Sequence, residues 1–184
     1  RMGTEWQKSK YLAHLTRDTV GAYALSEAGS GSDAFALATR AEDKGDHFLL
    51  TGQKLWITNA AEAGVFIVFA NANPDAGYKG ITAFIVERGF KGLSVGKNEL
   101  KMGMHGCTTA PVIMQDCEVP AENLLGPEGM GYVQALKTLT AGRVPVACRC
   151  GGMMDKLISR SADTMKVRHQ GGPQLSRTQS RAGR

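Results

Sequence analysis

Residues 35–58 read FALATRAEDKGDHFLLTGQKLWIT, and the texture of this stretch decides the fold class. Asp43-Lys44-Gly45-Asp46 stands between two runs of alternating apolar and polar side chains, a hairpin signal in which Gly supplies a turn conformation at no steric cost. Phe35–Arg40, Phe48–Thr51 and Lys54–Thr58 are candidate strands on either side of it. Further on, Val65–Ala70, Ile81–Val86 and Val112–Met114 have the same β-branched and aromatic character, and NPDAG (73–77) and RGFKG (88–92) separate them as turns. Short strands about 8–12 residues apart, with no helix-length periodic segment between them, predict an antiparallel sandwich or barrel from Val20 to about Val119.

The flanks have helical periodicity. Trp6, Leu12 and Leu15 recur along Glu5–Thr16, and Gly21 closes the stretch. Ala135, Leu136, Leu139, Leu157, Ile158 and Met165 mark helix from Met130 to His169, interrupted by Pro145 and Gly151-Gly152. Proline removes a helix hydrogen bond and costs about 3 kcal/mol, so a kink or break is expected near Val144. After Gln170 only Leu175 is large and apolar, which predicts a disordered tail over 171–184. The fold class is therefore α+β: a β-barrel or sandwich followed by the first helices of a helical bundle.

The 184 residues carry a net charge of +5, unevenly placed. Residues 1–155 hold 15 Lys/Arg against 16 Asp/Glu, a net of −1, and residues 156–184 hold seven basic residues against Asp163, a net of +6. A basic tail suits nucleic acid or an acidic membrane, but this one lacks aromatic interleaving and an apolar face, and a phosphorylated small molecule fits it equally well. Cys107, Cys117, Cys148 and Cys150 have neither CxxC spacing nor paired histidines, so no zinc site is expected and reduced thiols are. The longest apolar run, Val65–Ala70, falls far short of the roughly 20 residues of a membrane span. The chain begins at Arg1 rather than Met, which leaves room for a leader outside it.

Two motifs carry chemistry. YALSEAGSGSD (23–33) reads as a strand ending in a polar, glycine-containing loop that turns N–H groups and hydroxyls toward an anion or a polar ring. Its Gly29-Ser30-Gly31-Ser32-Asp33-Ala34 mimics a dinucleotide fingerprint, but β-rich sequence follows where a helix would be required. GQKLWITN (52–59) places Trp56 and Thr58 on one face of a strand, an indole and a hydroxyl suited to a flat ring with polar edges. Read singly, the first is equally a polar surface loop and the second a core tryptophan.

Taken together, and followed in order by Tyr78-Lys79-Gly80-Ile81-Thr82-Ala83-Phe84, Lys101-Met102-Gly103, Val119-Pro120-Ala121-Glu122-Asn123-Leu124-Leu125-Gly126, Gly129-Met130-Gly131-Tyr132 and Gly142-Arg143, the chain resembles the acyl-CoA dehydrogenase family. The resemblance runs to about Gln179 and lies nearest the short/branched-chain branch, although Val86-Glu87-Arg88-Gly89-Phe90 also resembles the very-long-chain branch. It implies an internal fragment. Residues 1–19 would end an N-terminal helical domain, 20–127 form the flavin-binding middle domain, and 128–170 begin a C-terminal helical domain.

Carried over by position, the resemblance implies FAD as cofactor, lined by Tyr23, Ala24, Leu25, Ser26, Glu27, Gly31 and Ser32, with Trp56, Ile57 and Thr58 covering one side of its ring. Acyl-CoA would meet Ser32, Tyr78, Tyr132, Thr140, Ala141, Gly142 and Arg143, and Arg168 and Gln179 would reach the flavin of a neighbouring subunit. The implied reaction removes a proton from the α-carbon of an acyl-CoA thioester and passes hydride from the β-carbon to FAD, with electron-transfer flavoprotein as acceptor. A homotetramer in the mitochondrial matrix, or the cytoplasm of a bacterium, is the implied setting. No catalytic residue and no metal ligand is expected in this chain: one branch carries its base at the position of Gly142, no carboxylate lies between Glu128 and Asp155, and the base is expected beyond Arg184.

Two departures bear on the implied subunit contact. Where the family continues Glu/Lys-Arg-x-Gln-Phe-Gly, this chain has Val167-Arg168-His169-Gln170-Gly171-Gly172, and Cys148-Arg149-Cys150 occupies a usually small, apolar stretch. The alternatives to a dehydrogenase fragment are a truncated β-domain without cofactor, an acyl-CoA oxidase-like flavoprotein and, last, nucleic-acid binding through the tail.

Overall fold

The computed structural model describes residues 2–178, in two units that divide between Leu136 and Lys137. In the first, helix α1 (Glu5–Leu15) precedes strands β1 (Val20–Ala24), β2 (Arg40–Asp43), β3 (His47–Thr58), β4 (Ala63–Asn71), β5 (Ile81–Glu87), β6 (Leu93–Val95) and β7 (Thr109–Pro120). The strands form one sheet in the order β1-β4-β2-β3-β7-β6, with β5 on the other edge of β4. The fold class is α+β, as the sequence leads one to expect.

β4 up to Ala70 and β5 from Ile81 to Val86, Thr82 apart, are apolar because both of their faces are covered. Phe66, Val68, Phe84 and Val86 face an inner cluster with Phe48, Leu50, Val112 and Val119, whereas Val65 and Ile85 pack under Tyr11 of α1, and Phe69 and Ile81 pack with Leu25 and Leu37. Alternation with period two sends successive side chains to opposite faces. The inner cluster draws on Ala22 of β1 as well as Met114 of β7, so the sheet curls round its own core.

The strand pairing is not purely antiparallel. β1 runs parallel to β4, from Val20 opposite Ala63 to Ala24 opposite Val68. Sequence reasoning tied parallel pairing to a crossover helix, but here the β2–β3 hairpin makes the crossover. Arg40 then meets Asn71 of β4, whose other edge is occupied by Ile81. β1 and β2 thus lie end to end along one edge of β4, and residues 25–39 leave and rejoin the sheet between them.

The hairpin lies where expected: Lys44 N–H donates to the His47 carbonyl at 2.9 Å and Gly45 has φ +93°. Phe35–Arg40 is not a strand; the pairing starts only at Arg40. On α1, the apolar stripe is not the docking face. Trp6, Leu12 and Leu15 are exposed, and Gln7 and Tyr11 are buried. Gln7 Nε2 donates to the Glu122 and Leu124 carbonyls at 2.8 Å each, and Tyr11 OH donates to Glu87 Oε1 at 2.8 Å while accepting from Asn123 Nδ2 at 2.9 Å. Orphan carbonyls and a buried amide, rather than an apolar stripe, select the face that docks.

Helix α2 (Gly131–Val167) enters the second unit and runs unbroken through Pro145 and Gly151-Gly152, where a kink or break was expected. Its residues from Leu136 to Thr164 are exposed, so water can satisfy the carbonyl that loses its donor at Pro145. Arg149 is exposed as well. Beyond α2, the start of the tail expected to be disordered makes a turn: Gln170 N–H donates to the Pro173 carbonyl at 3.2 Å and Leu175 N–H to the Arg168 carbonyl at 2.9 Å. Gly171 (φ +65°) and Gly172 (φ +104°) take left-handed conformations that an aromatic residue would adopt only with strain. The rest of that tail, 179–184, lies outside the described residues.

Candidate functional site

The two chemistry-bearing motifs meet at the end of β1. Leu55 N–H donates to the Ser26 carbonyl at 2.9 Å, and Lys54 Nζ donates to the Leu25 carbonyl at 3.1 Å and to Glu27 Oε1 at 2.7 Å. The loop closes on itself, with Glu27 N–H and Ser30 N–H bonding each other's carbonyls and Ser30 Oγ donating to the Asp33 carbonyl at 2.8 Å.

Between Lys54 and Ile57, β3 carries an extra residue relative to β7, a bulge. Within it Trp56 has φ +56°, a left-handed conformation uncommon for a bulky side chain, and the residue is 56% exposed. Thr58 is exposed too, whereas Ile57 is buried in the inner cluster. Ala24 and Leu25 are likewise buried, so these three can offer a ligand only their backbone.

Ser26 is half-buried, and its N–H and hydroxyl have no partner among the described residues. The Tyr23 hydroxyl is buried without a partner, and burial pushes its pKa up to about 12. An exposed indole one residue from Leu55, beside unused donors at Ser26, suits a flat aromatic group with polar edges.

The Glu27 carboxylate does not face outward. Oε2 accepts from Ala38 N–H at 2.7 Å and Oε1 from Thr39 N–H at 3.1 Å. Burial acts to raise its pKa, but Lys54 and these donors outweigh burial and leave it lowered. Burial pushes Lys54 down to about 8, against the opposing pull of Glu27. A cleft of about 210 Å³ opens beside the pair, between Ala28-Gly29 and Gly52-Gln53.

Of the expected substrate residues, Tyr78 and Tyr132 come together, ring centroids 5.0 Å apart at 77°. Phe35 joins them 6.1 Å from Tyr132. It escaped sequence reasoning because its run reads as a strand rather than a loop. Ser32 and Gly31 are exposed in the loop. Thr140, Ala141, Gly142 and Arg143 are exposed on α2 in the second unit, as is Arg168 just past its end, and Gln179 lies outside the described residues. Among the described residues no cluster could hold a metal ion, all four cysteines are free, and no helix is long and apolar enough to cross a membrane.

Residues 22–117 match the family model for the acyl-CoA dehydrogenase middle domain. The chain is 47% identical over 177 residues to a probable short/branched chain specific acyl-CoA dehydrogenase of Dictyostelium discoideum, covering 96% of this chain and 43% of that protein. It matches the structure of butyryl-CoA dehydrogenase from Megasphaera elsdenii with a TM-score of 0.93 and 40% identity, over 99% of this chain and 48% of that one. An acyl-CoA dehydrogenase complexed with FAD, from Bacillus anthracis, matches with a TM-score of 0.90 and 40% identity, over 96% and 30%. The chain thus spans less than half the length of these relatives, yet its β-sheet unit and both motifs fall within the match. The chain belongs to the acyl-CoA dehydrogenase family.

Proposed function

We propose that this chain carries the FAD-binding face of an enzyme that dehydrogenates short or branched-chain acyl-CoA thioesters between Cα and Cβ. The observation that carries this reading is the junction of Ser26 with Leu55, which sets an outward indole beside unpaired polar groups on a rigid sheet. The FAD-complexed relative supports the choice of cofactor.

The chemistry FAD supplies when bound is acceptance of hydride from the acyl β-carbon. In this reading Trp56 covers the ring, Ser26 and Thr58 donate to its polar edge, and the buried Ala24, Leu25 and Ile57 exclude water behind it. The aromatic group of Phe35, Tyr78 and Tyr132 offers a wall for the thioester's apolar arm, with Ser32 of the flavin loop also meeting the substrate. Arg143 is the candidate for CoA phosphate or amide oxygens, which a guanidinium grips with fixed geometry. No residue of this chain is assigned the base, and the chain alone is expected not to turn over.

The wider setting in this reading is acyl-CoA as substrate and electron-transfer flavoprotein as acceptor, which the names of the relatives support, with a homotetramer to which Arg168 contributes and a mitochondrial or bacterial cytoplasmic location. Titrating the purified 184-residue chain with FAD tests the central point. Bound-flavin absorption bands with quenched flavin fluorescence are expected; free-flavin spectra at saturating FAD would rule the reading out.

A further inference from the structure

Lys54 is buried completely and touches no surface where a ligand would sit, so the flavin reading leaves it unused. Its ammonium and the Glu27 carboxylate nevertheless hold three backbone groups between them. Lys54 takes the Leu25 carbonyl, and Glu27 takes the N–H groups of Ala38 and Thr39, so one ion pair grips both ends of the 28–37 excursion. A well-packed apolar pair of similar volume often stabilises a core as well as a buried ion pair does, so stability is a weak reason for this arrangement.

Direction is a stronger one. The Leu25–Ser26 peptide is trans, and a planar trans peptide points its C=O and N–H opposite ways. With the Leu25 carbonyl aimed at Lys54, the Ser26 N–H must point away from Lys54. The next carbonyl, that of Ser26, is held by Leu55 N–H. Two successive peptides are thereby fixed in rotation, and the Ser26 donor is left unpaired among the described residues.

We propose that Lys54 and Glu27 are positioning residues for flavin binding, their ion pair orienting the Leu25–Ser26 peptide so that Ser26 N–H is presented as a donor to the flavin edge; this rests on the flavin reading above. The pair makes no contact with the ring itself. Its effect is on the loop before FAD arrives.

The test compares the 184-residue chain with Lys54→Met, Glu27→Gln and the double variant Glu27→Leu/Lys54→Met. Amide hydrogen exchange is followed without FAD, and FAD is then titrated by flavin fluorescence. In Lys54→Met, exchange over 26–39 should quicken at least tenfold while β4 and β5 keep their protection, and FAD affinity should fall at least tenfold. The double variant should regain the thermal midpoint of the parent but not its FAD affinity, a separation that a merely structural pair would not produce. Unchanged exchange over 26–39, parental FAD affinity in Lys54→Met, or recovery of affinity in the double variant would each overturn the proposal. Should Lys54→Met fail to fold, Glu27→Gln carries the same two readouts, with at least threefold weakening expected and no change overturning it. If the parent chain binds no FAD, the flavin reading falls on that result, and the exchange comparison still decides whether the pair orders the loop.

Discussion

Trp56 sits one residue after the N–H that holds Ser26, and it is the bulge at Trp56, with φ +56°, that turns its ring out of the sheet. A left-handed conformation costs a non-glycine residue about 1 kcal/mol, and such strain concentrates where a side chain is held for use.

Trp56→Gly therefore separates fold from function. Gly relieves the strain, and urea denaturation of the apo chain should show a gain of about 0.5–1 kcal/mol, or at worst no loss. FAD affinity should fall about tenfold with loss of the stacked ring, which aromatic contacts of about 0.5–1.5 kcal/mol support. Both quantities falling together would mean that the indole is structural.

The buried pair predicts stability that rises with pH at both ends of the pH scale. Glu27 is held below its usual 4.5, so its contribution to stability is present above that value and is lost as pH falls through the lower folded value. Lys54 drops from 10.5 to about 8, so between those limits the unfolded chain binds more protons and stability rises with pH. Urea midpoints against pH should show both limbs, with Glu27→Gln flattening the acid limb and Lys54→Met the alkaline one.

Tyr11→Phe removes a hydroxyl that donates to Glu87 and accepts from Asn123. The buried Asn123 amide then loses one partner, at a cost of about 1–3 kcal/mol. Thermal melting should show a lowered midpoint, with α1 amides exchanging earlier than those of β4.

Gly52→Ala tests the close approach of the excursion to β3. An added Cβ would lie 2.5 Å from Thr39 Oγ1 and 2.8 Å from Thr39 Cα, and Gly52 has φ +152°. Overpacking of this kind costs about 1–3 kcal/mol. A lowered midpoint and faster exchange at Thr39 are expected; an unchanged midpoint would mean that residues 25–39 yield freely.

Much of the fold was legible because burial on both sides of β4 and β5 leaves long apolar runs, and the DKGD turn between β2 and β3 has a local cause. The three-residue β6 was too short to show a period. The parallel β1–β4 pair was hidden because pairing partners 43 residues apart, Val20 and Ala63, leave no local trace. At the site, the motif from Tyr23 to Asp33 and the strand from Gly52 to Asn59 were readable as polar and aromatic surfaces. Which side chains turn inward was not: Glu27 and Lys54 look like exposed charges in one dimension and become a buried pair only once the two segments are hydrogen-bonded.

The Glu27 carboxylate, by joining the start of the excursion to Ala38 and Thr39, makes residues 28–37 a closed loop whose mouth is fixed independently of its contents. Lengthening such a loop costs only the logarithm of its length, about 0.6 kcal/mol for a doubling. Residues inserted between Ala28 and Phe35 would thus reshape what is recognised there without shifting the register of a single strand, giving this sheet edge room to diversify.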